Sequence, residues 1–108
     1  MNKQGALKQE GKIIVRVDPD IADLIPGFLE NRRKDIKTIA EAVTQGNFET
    51  IQILGHSMKG AGGSYGFDAI TDIGKSLEQA AKDKDAEGIQ RSVLELAIYL
   101  DQVEVVYK

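Results

Sequence analysis

The stretch that decides the fold of this chain spans residues 51–68 and reads IQILGHSMKGAGGSYGFD. On a helical wheel, at about 100° per residue, six of its residues fall within about 50° of one direction. These six residues are Ile51, Leu54, Met58, Ala61, Gly62 and Tyr65. The spacing predicts an amphipathic helix over about 48–64 that packs this side into a core. Gly66 should end the helix and Asp68 should begin the next, because glycine favours helix ends and aspartate favours helix starts.

The only histidine of the chain lies on the opposite side of this helix. On the same wheel, His56 points about 170° away from the core direction. Its neighbours within about 60° are Gln52, Lys59, Gly60 and Gly63. The two glycines each cost a helix about 1 kcal/mol relative to alanine, and no packing inside the protein rewards them on this side. Bare surface beside an exposed histidine indicates that another molecule approaches the imidazole; fraying of the helix end is the alternative explanation.

The rest of the sequence contains start and stop signals for further helices. Asp18 followed by Pro19 predicts a short helix over about 19–25, which Pro26 interrupts. Three further long amphipathic helices are predicted: one ending at about Gln45, one over about 69–82 and one from about 86 to 107. Their apolar stripes are Phe28, Ile36, Ile39, Ala40 and Val43; Ile70, Ile73, Gly74, Leu77, Ala80 and Ala81; and Ile89, Val93, Leu96, Leu100, Val103 and Tyr107.

Turns of two to four residues between these helices force neighbouring helices to run antiparallel. We therefore predict an all-α fold, an antiparallel up-down four-helix bundle with a short N-terminal helix, formed by residues 12–108 as a single domain. Residues 1–11 are polar and are expected to form a flexible tail. The segment KIIVRVD, residues 12–18, alternates like a strand. No second strand is apparent to pair with it, so we expect it to lie extended against the bundle.

Composition excludes several classes of function. The 108 residues carry a formal net charge of −3, which offers no basic footprint for nucleic acid. The absence of cysteine excludes disulfides, thiol chemistry and thiolate metal sites. No apolar run approaches the ~20 residues that cross a bilayer, and the first residues do not resemble a signal peptide. We expect a cytoplasmic protein, a monomer, with no nucleic-acid or membrane partner and no metal of its own.

An exposed imidazole with a cation one helical turn away and open surface beside it suits attack on a phosphoryl group. A neutral imidazole nitrogen is a good nucleophile near pH 7. Lys59 could then stabilise charge on the phosphoryl oxygens. A phosphoramidate formed in this way is reactive, so its carrier would pass the group on to a partner.

The residues GHSMKGAGGSYGF, 55–67, resemble the motif of histidine-containing phosphotransfer (HPt) domains. In that family a small residue, a histidine, two variable residues, a lysine and a glycine are followed by a glycine that ends the helix. The matching residues here are Gly55, where alanine is common, His56, Lys59, Gly60 and Gly66. The departures are Met58, where leucine is frequent, and the high glycine content of residues 60–63.

The resemblance covers about residues 19–107 and implies the same four-helix bundle. It implies that His56 reversibly exchanges a phosphoryl group with the aspartate of a response-regulator receiver domain, and that the partners are a receiver domain, a histidine kinase or both. The receiver, rather than this chain, would bind magnesium. Leu77 and Glu78 occupy the family's usual leucine and glutamate positions on the following helix. Some members carry a glutamine there that hydrogen-bonds the imidazole, and Gln79 is the candidate in this sequence.

The sequence motifs of several other functional classes are incomplete in this chain. A dinucleotide fingerprint would need glycine where Tyr65 stands, and the P-loop pattern lacks its first glycine. A histidine metal site lacks a second histidine, and a hydrolytic triad lacks a pocket. One alternative of another class remains: a helical docking module that binds a partner without phosphorylation. It would use the same surface, formed by Gln52, Ile53, Gly60, Gly63 and Gln79, on which Ile53 is an exposed apolar residue.

Overall fold

The computed structural model describes residues 12–108. The predicted flexible tail, residues 1–11, lies outside the described residues. Four α-helices make up most of the described chain, preceded by a strand and a 3-10 helix and followed by a second strand. In chain order these elements are β1 (Ile13–Val17), the 3-10 helix (Pro19–Leu24), α1 (Ile25–Thr44), α2 (Phe48–Ser64), α3 (Asp68–Lys82), α4 (Ala86–Gln102) and β2 (Val103–Tyr107).

The helices form the predicted all-α, up-down four-helix bundle. Connections of three residues each join consecutive long helices, which therefore run antiparallel. Helices α2 and α3 have the most extensive contact. Helix α1 packs against both α2 and α4 and so closes the bundle. The predicted short N-terminal helix is present as a 3-10 helix, capped by Asp18, whose side chain accepts from the backbone N–H of Asp20 at 2.9 Å.

All three turns between long helices close in the same way. In each, a residue with positive φ follows the helix, and the next backbone N–H bonds back to a carbonyl of the last turn. Gly46 and Gly66 take this position in the first two turns, with φ of 70° and 90°. Lys84 takes it in the third, with φ of 53°. The predicted helix ends at about Gln45 and at Gly66 are thus confirmed, whereas α3 begins at Asp68 itself and has no side-chain cap.

The main difference from the predicted fold is a second strand at the C-terminal end. Helix α4 ends at Gln102, and β2 pairs with β1 in parallel, with Ile13 opposite Val103 and Val17 opposite Tyr107. The prediction that the helix continues to 107 is therefore wrong, as is the prediction that the N-terminal strand has no partner. The sequence VEVVY is rich in β-branched and aromatic residues, which favour strands once a neighbouring edge is available.

The core lies between the four helices and under the two strands. Every predicted stripe residue of α3 is buried, and Ile51, Met58 and Gly62 of α2 are buried with them. In α1 the stripe is shifted slightly, because Ala42 is buried and the predicted Ala40 is exposed. The fully buried large side chains are Ile25, Ile39, Ile51, Met58, Phe67, Ile70, Leu77, Ile89 and Leu96.

Candidate functional site

His56 lies in the middle of α2 and faces solvent, as the helical wheel predicts. Its side chain is 70% exposed. The helix is held in this orientation by Ile51, Met58 and Gly62, which are buried on the opposite side. A histidine in this position is available to another molecule, and its immediate surroundings decide what it can do.

A carboxylate from the neighbouring helix holds the imidazole. Glu78 of α3 places Oε2 at 3.0 Å from Nδ1 of His56. A carboxylate only accepts hydrogen bonds, so this contact requires that Nδ1 carries the proton. In the neutral ring the lone pair then lies on Nε2, which has no hydrogen-bond partner among residues 12–108. With Nδ1 protonated, the contact leaves the Nε2 lone pair free.

The same carboxylate also binds the lysine of the motif. Glu78 Oε1 lies 3.0 Å from Lys59 Nζ, and the glutamate side chain is only 13% exposed. The Lys59 hydrogen bond lowers the pKa of Glu78 most, burial partly opposes this effect, and the bond to His56 lowers it further. Glu78 is therefore a carboxylate at neutral pH, and it connects the imidazole and the ammonium group through its two oxygens.

The close approach of α2 and α3 brings these groups together. A Cβ at Gly55 would lie 2.6 Å from the backbone nitrogen of Glu78, and a Cβ at Gly74 would lie 2.5 Å from that of Lys59. Any side chain at either glycine would push the helices apart. One turn further along, Thr71 donates its hydroxyl to the carbonyl of Lys59 at 2.9 Å. The two facing glycines thus set the position of Glu78 relative to the residues on α2.

The predicted close packing at Gly62 is confirmed. A Cβ there would lie 2.6 Å from the backbone nitrogen of Thr71. Gly55 and Gly74 pack more closely than the sequence indicated. The sequence identifies Gly55 only as the small residue of the motif, and it identifies Gly74 only as a member of an apolar stripe. The spacing within one helix does not show which residue of the next helix lies opposite.

The surface glycines differ from these packed ones. A Cβ at Gly60 would meet nothing within 4 Å, and one at Gly63 would make only an ordinary contact, 3.5 Å from Thr71 Oγ1. Both glycines are exposed, as the wheel predicts. Ile53 is 61% exposed and Gln52 is half-buried. The surface around His56 is therefore open and partly apolar.

Gln79 does not hydrogen-bond the imidazole. Its Nε2 lies 3.3 Å from both carboxylate oxygens of Asp83, the first residue after α3. The residue that contacts His56 is Glu78, because the α2–α3 crossing at Gly74 turns position 78, and not 79, toward the histidine. The feature of the sequence that indicates Glu78 is its position directly after Leu77, because the family resemblance assigns a leucine and a glutamate to these two positions. Gln79 is exposed nearby, and its role in partner binding stays a prediction.

Among residues 12–108, no group of three or more histidine, cysteine, aspartate or glutamate side chains could hold a metal ion. Within the same residues, no helix is both long and apolar enough to cross a membrane.

A four-helix bundle with one exposed histidine, held by a carboxylate and accompanied by a lysine, fits the HPt resemblance of residues 55–67. The family model described as Hpt domain matches residues 23–105, and the chain belongs to this family. Domains of this family take part in histidine phosphotransfer in two-component signalling and interact with kinases and response regulators. Neither a curated protein nor a solved structure gives a significant match to the chain.

Proposed function

We propose that His56 reversibly accepts a phosphoryl group and exchanges it with the aspartate of a response-regulator receiver domain. The observation that carries the proposal is the Glu78 contact, which fixes the proton on Nδ1 and leaves Nε2 with a free lone pair facing solvent. An exposed, oriented and neutral imidazole nitrogen is what nucleophilic attack on phosphorus requires. Any magnesium ion used in the exchange would be bound by the receiver.

In the proposed step, Nε2 of His56 attacks the phosphorus of an aspartyl phosphate in line with the bond to the aspartate. A P–N bond forms, the P–O bond to the aspartate breaks, and the aspartate leaves as a carboxylate. The imidazole keeps its Nδ1 proton and becomes positively charged. Glu78 stabilises this charge directly, because its Oε2 accepts that proton's hydrogen bond. The charged ring is a good leaving group, so the same geometry serves the return transfer.

Lys59 has a second role in this proposal. Its ammonium group carries three donors, of which one is engaged by Glu78 Oε1 at 3.0 Å. The remaining donors can bind oxygens of a phosphoryl group on the neighbouring imidazole. Lys59 thus stabilises negative charge on the group being transferred, while Glu78 stabilises positive charge on the ring.

The alternative is a docking module that binds the same partners without phosphorylation. The exposed Ile53 and the open surface at Gly60 fit both functions, since both require a contact surface here. The Glu78 contact favours the phosphocarrier, because binding alone does not require one protonation pattern of the ring.

The test is to incubate the protein with phosphorylated receiver domains and to follow the label on both proteins. The wild type should form an acid-labile, base-stable adduct, and His56→Gln should form none while keeping its circular dichroism spectrum and receiver binding. Ser57→Ala is a matched control, because Ser57 is exposed beside the histidine and should leave labelling unchanged. Failure of the wild type to accept label from any of several receivers would exclude the carrier. Labelling of His56→Gln would place the phosphoryl group elsewhere.

A further inference from the structure

A cleft lined by lysines opens directly beside the phosphotransfer site. Its volume is about 390 Å³, and six residues line it: Lys59, Lys75, Ser76, Glu78, Gln79 and Lys82. Two of them, Lys59 and Glu78, also belong to the site around His56. The cleft therefore continues the candidate binding surface from α2 onto the outer face of α3.

The spacing on α3 explains this arrangement. Lys75, Gln79 and Lys82 follow one another at intervals of four and three residues, so they form a row along one face of the helix. Glu78 lies beside that row and turns toward α2. The two lysines therefore flank the glutamate on the same surface that presents His56 to solvent.

The cleft is positively charged, whereas the whole protein carries a net negative charge. Three lysines line it against one carboxylate, although the chain carries 17 acidic and 14 basic residues. Among residues 12–108, Lys75 and Lys82 form no ion pair, and both are exposed. The carboxylate of Asp83, which follows the row directly, accepts hydrogen bonds from Gln79 at 3.3 Å and pairs with neither lysine. The positive charge of the two outer lysines is thus available to another molecule.

We infer that Lys75 and Lys82 form an electrostatic docking surface for a receiver domain whose face around its aspartate is acidic. The inference rests on the proposed function and specifies the kind of partner that the site takes. Exposed charges of one sign accelerate association with an oppositely charged surface and lose this effect as salt screens them. The lysine row therefore selects among receivers by charge and increases the rate of encounter, whereas His56, Glu78 and Lys59 perform the transfer.

The experiment compares two double charge reversals of equal total charge change. Lys75→Glu with Lys82→Glu reverses the row, and Lys34→Glu with Lys37→Glu is the matched control on exposed positions of α1 that do not line the cleft. Transfer from phosphorylated receivers is measured by stopped flow over a range of salt concentrations. We expect the row variant to lower kcat/KM by about tenfold or more at low salt and to lose most of the wild-type salt dependence. The loss should lie mainly in KM, and the control should behave as the wild type.

Binding to unphosphorylated receivers, measured by calorimetry, separates this inference from the proposed function. If the wild type accepts no label but binds a receiver in a salt-dependent way that the row variant abolishes, the proposed function fails and the docking surface stands. If transfer occurs but the row variant and the α1 control behave alike, the docking surface fails and the proposed function stands. Absence of receiver binding at low salt would also overturn the docking surface.

Discussion

Glu78 Oε2 lies 3.0 Å from His56 Nδ1, although the two residues are 22 positions apart and lie on different helices. The carboxylate also binds Lys59 through its other oxygen at 3.0 Å. One side chain therefore fixes the proton of the imidazole and the position of the ammonium group. Because Glu78 is mostly shielded from solvent, it is a more constant neighbour for the ring than water would be.

Replacement of Glu78 should separate its two roles. Glu78→Gln keeps an oxygen that can accept from Nδ1 but loses the negative charge, whereas Glu78→Ala loses both. We expect Glu78→Ala to slow transfer by about 10- to 100-fold, the loss typical when a carboxylate that orients a metal-bound histidine is removed, and Glu78→Gln to slow it less. Nitrogen NMR of the imidazole reports the tautomer directly. A wild-type ring protonated on Nε2 in its neutral form would contradict this role of Glu78.

Replacement of Lys59 by alanine should leave the fold intact and slow transfer. Glu78 keeps its hydrogen bond with His56 when Lys59 is replaced, and Lys59 itself is partly exposed, so the free energy of unfolding should change little. Transfer should become slower, or the adduct shorter-lived, because no cation remains beside the phosphoryl oxygens. Lys37→Ala on α1 is the control, with an expected rate equal to that of the wild type. Unchanged kinetics in Lys59→Ala would remove this lysine from the mechanism.

The lowered pKa of Glu78 predicts a dependence of stability on pH. A carboxyl group with a folded pKa below its ordinary value of 4.5 stabilises the fold above that pH. This contribution is lost as pH falls through the folded pKa. The test compares the free energy of unfolding of the His56→Gln protein with that of a protein carrying both His56→Gln and Glu78→Gln. Neither protein contains the imidazole. The difference should be constant at pH above 4.5 and shrink below it; a difference that does not vary with pH would contradict the ion pair with Lys59.

The glycines of α2 should respond oppositely to the same substitution. Gly60→Ala should stabilise the protein by about 0.5–1 kcal/mol, because the added Cβ meets nothing and alanine favours helix. Gly55→Ala should destabilise it by about 1–3 kcal/mol, because the Cβ would press on the backbone of Glu78. Urea denaturation measures both. Equal effects at the two positions would mean that α2 and α3 are not in close contact at Gly55.

Gly60→Leu tests the surface rather than the helix. The fold should tolerate leucine, since the position is open, but transfer should be blocked because the side chain obstructs the incoming receiver. Gly60→Ala is the control with a smaller side chain, and its rate of transfer should be intermediate or equal to that of the wild type. Transfer at the wild-type rate in Gly60→Leu would show that the partner does not approach over this position.

Lys84 should limit stability at the turn between α3 and α4. It holds the positive φ that glycine holds in the other two turns, and this conformation is costly for a residue with a Cβ. Lys84→Gly should therefore stabilise the protein by about 0.5–1 kcal/mol in thermal or urea unfolding. Lys37→Gly, at an exposed interior position of α1, should instead destabilise it by about 1 kcal/mol. A loss of stability in Lys84→Gly would contradict the backbone strain.

The sequence by itself determined the four-helix bundle and the exposed position of the histidine. Apolar spacing assigns each helix its buried face, and short turns force the helices to alternate in direction, so both follow from local information. The same periodicity placed Gly62 inside and Gly60 outside. It failed at the C-terminal end, where Val103 and Tyr107 continue the helical spacing but lie in a strand, because the pairing with Ile13–Val17 is made across almost the whole chain.

Only the tertiary structure decided which residues surround the imidazole. The choice between Glu78 and Gln79 depends on the rotation of α3 against α2, and that rotation is fixed by backbone contact at Gly55 and Gly74. A pattern within one helix gives the direction of each side chain relative to its own axis, but not its register against another helix. The hydrogen bond between Glu78 and His56 is a property of that register, and so is the placement of the lysine row beside the histidine.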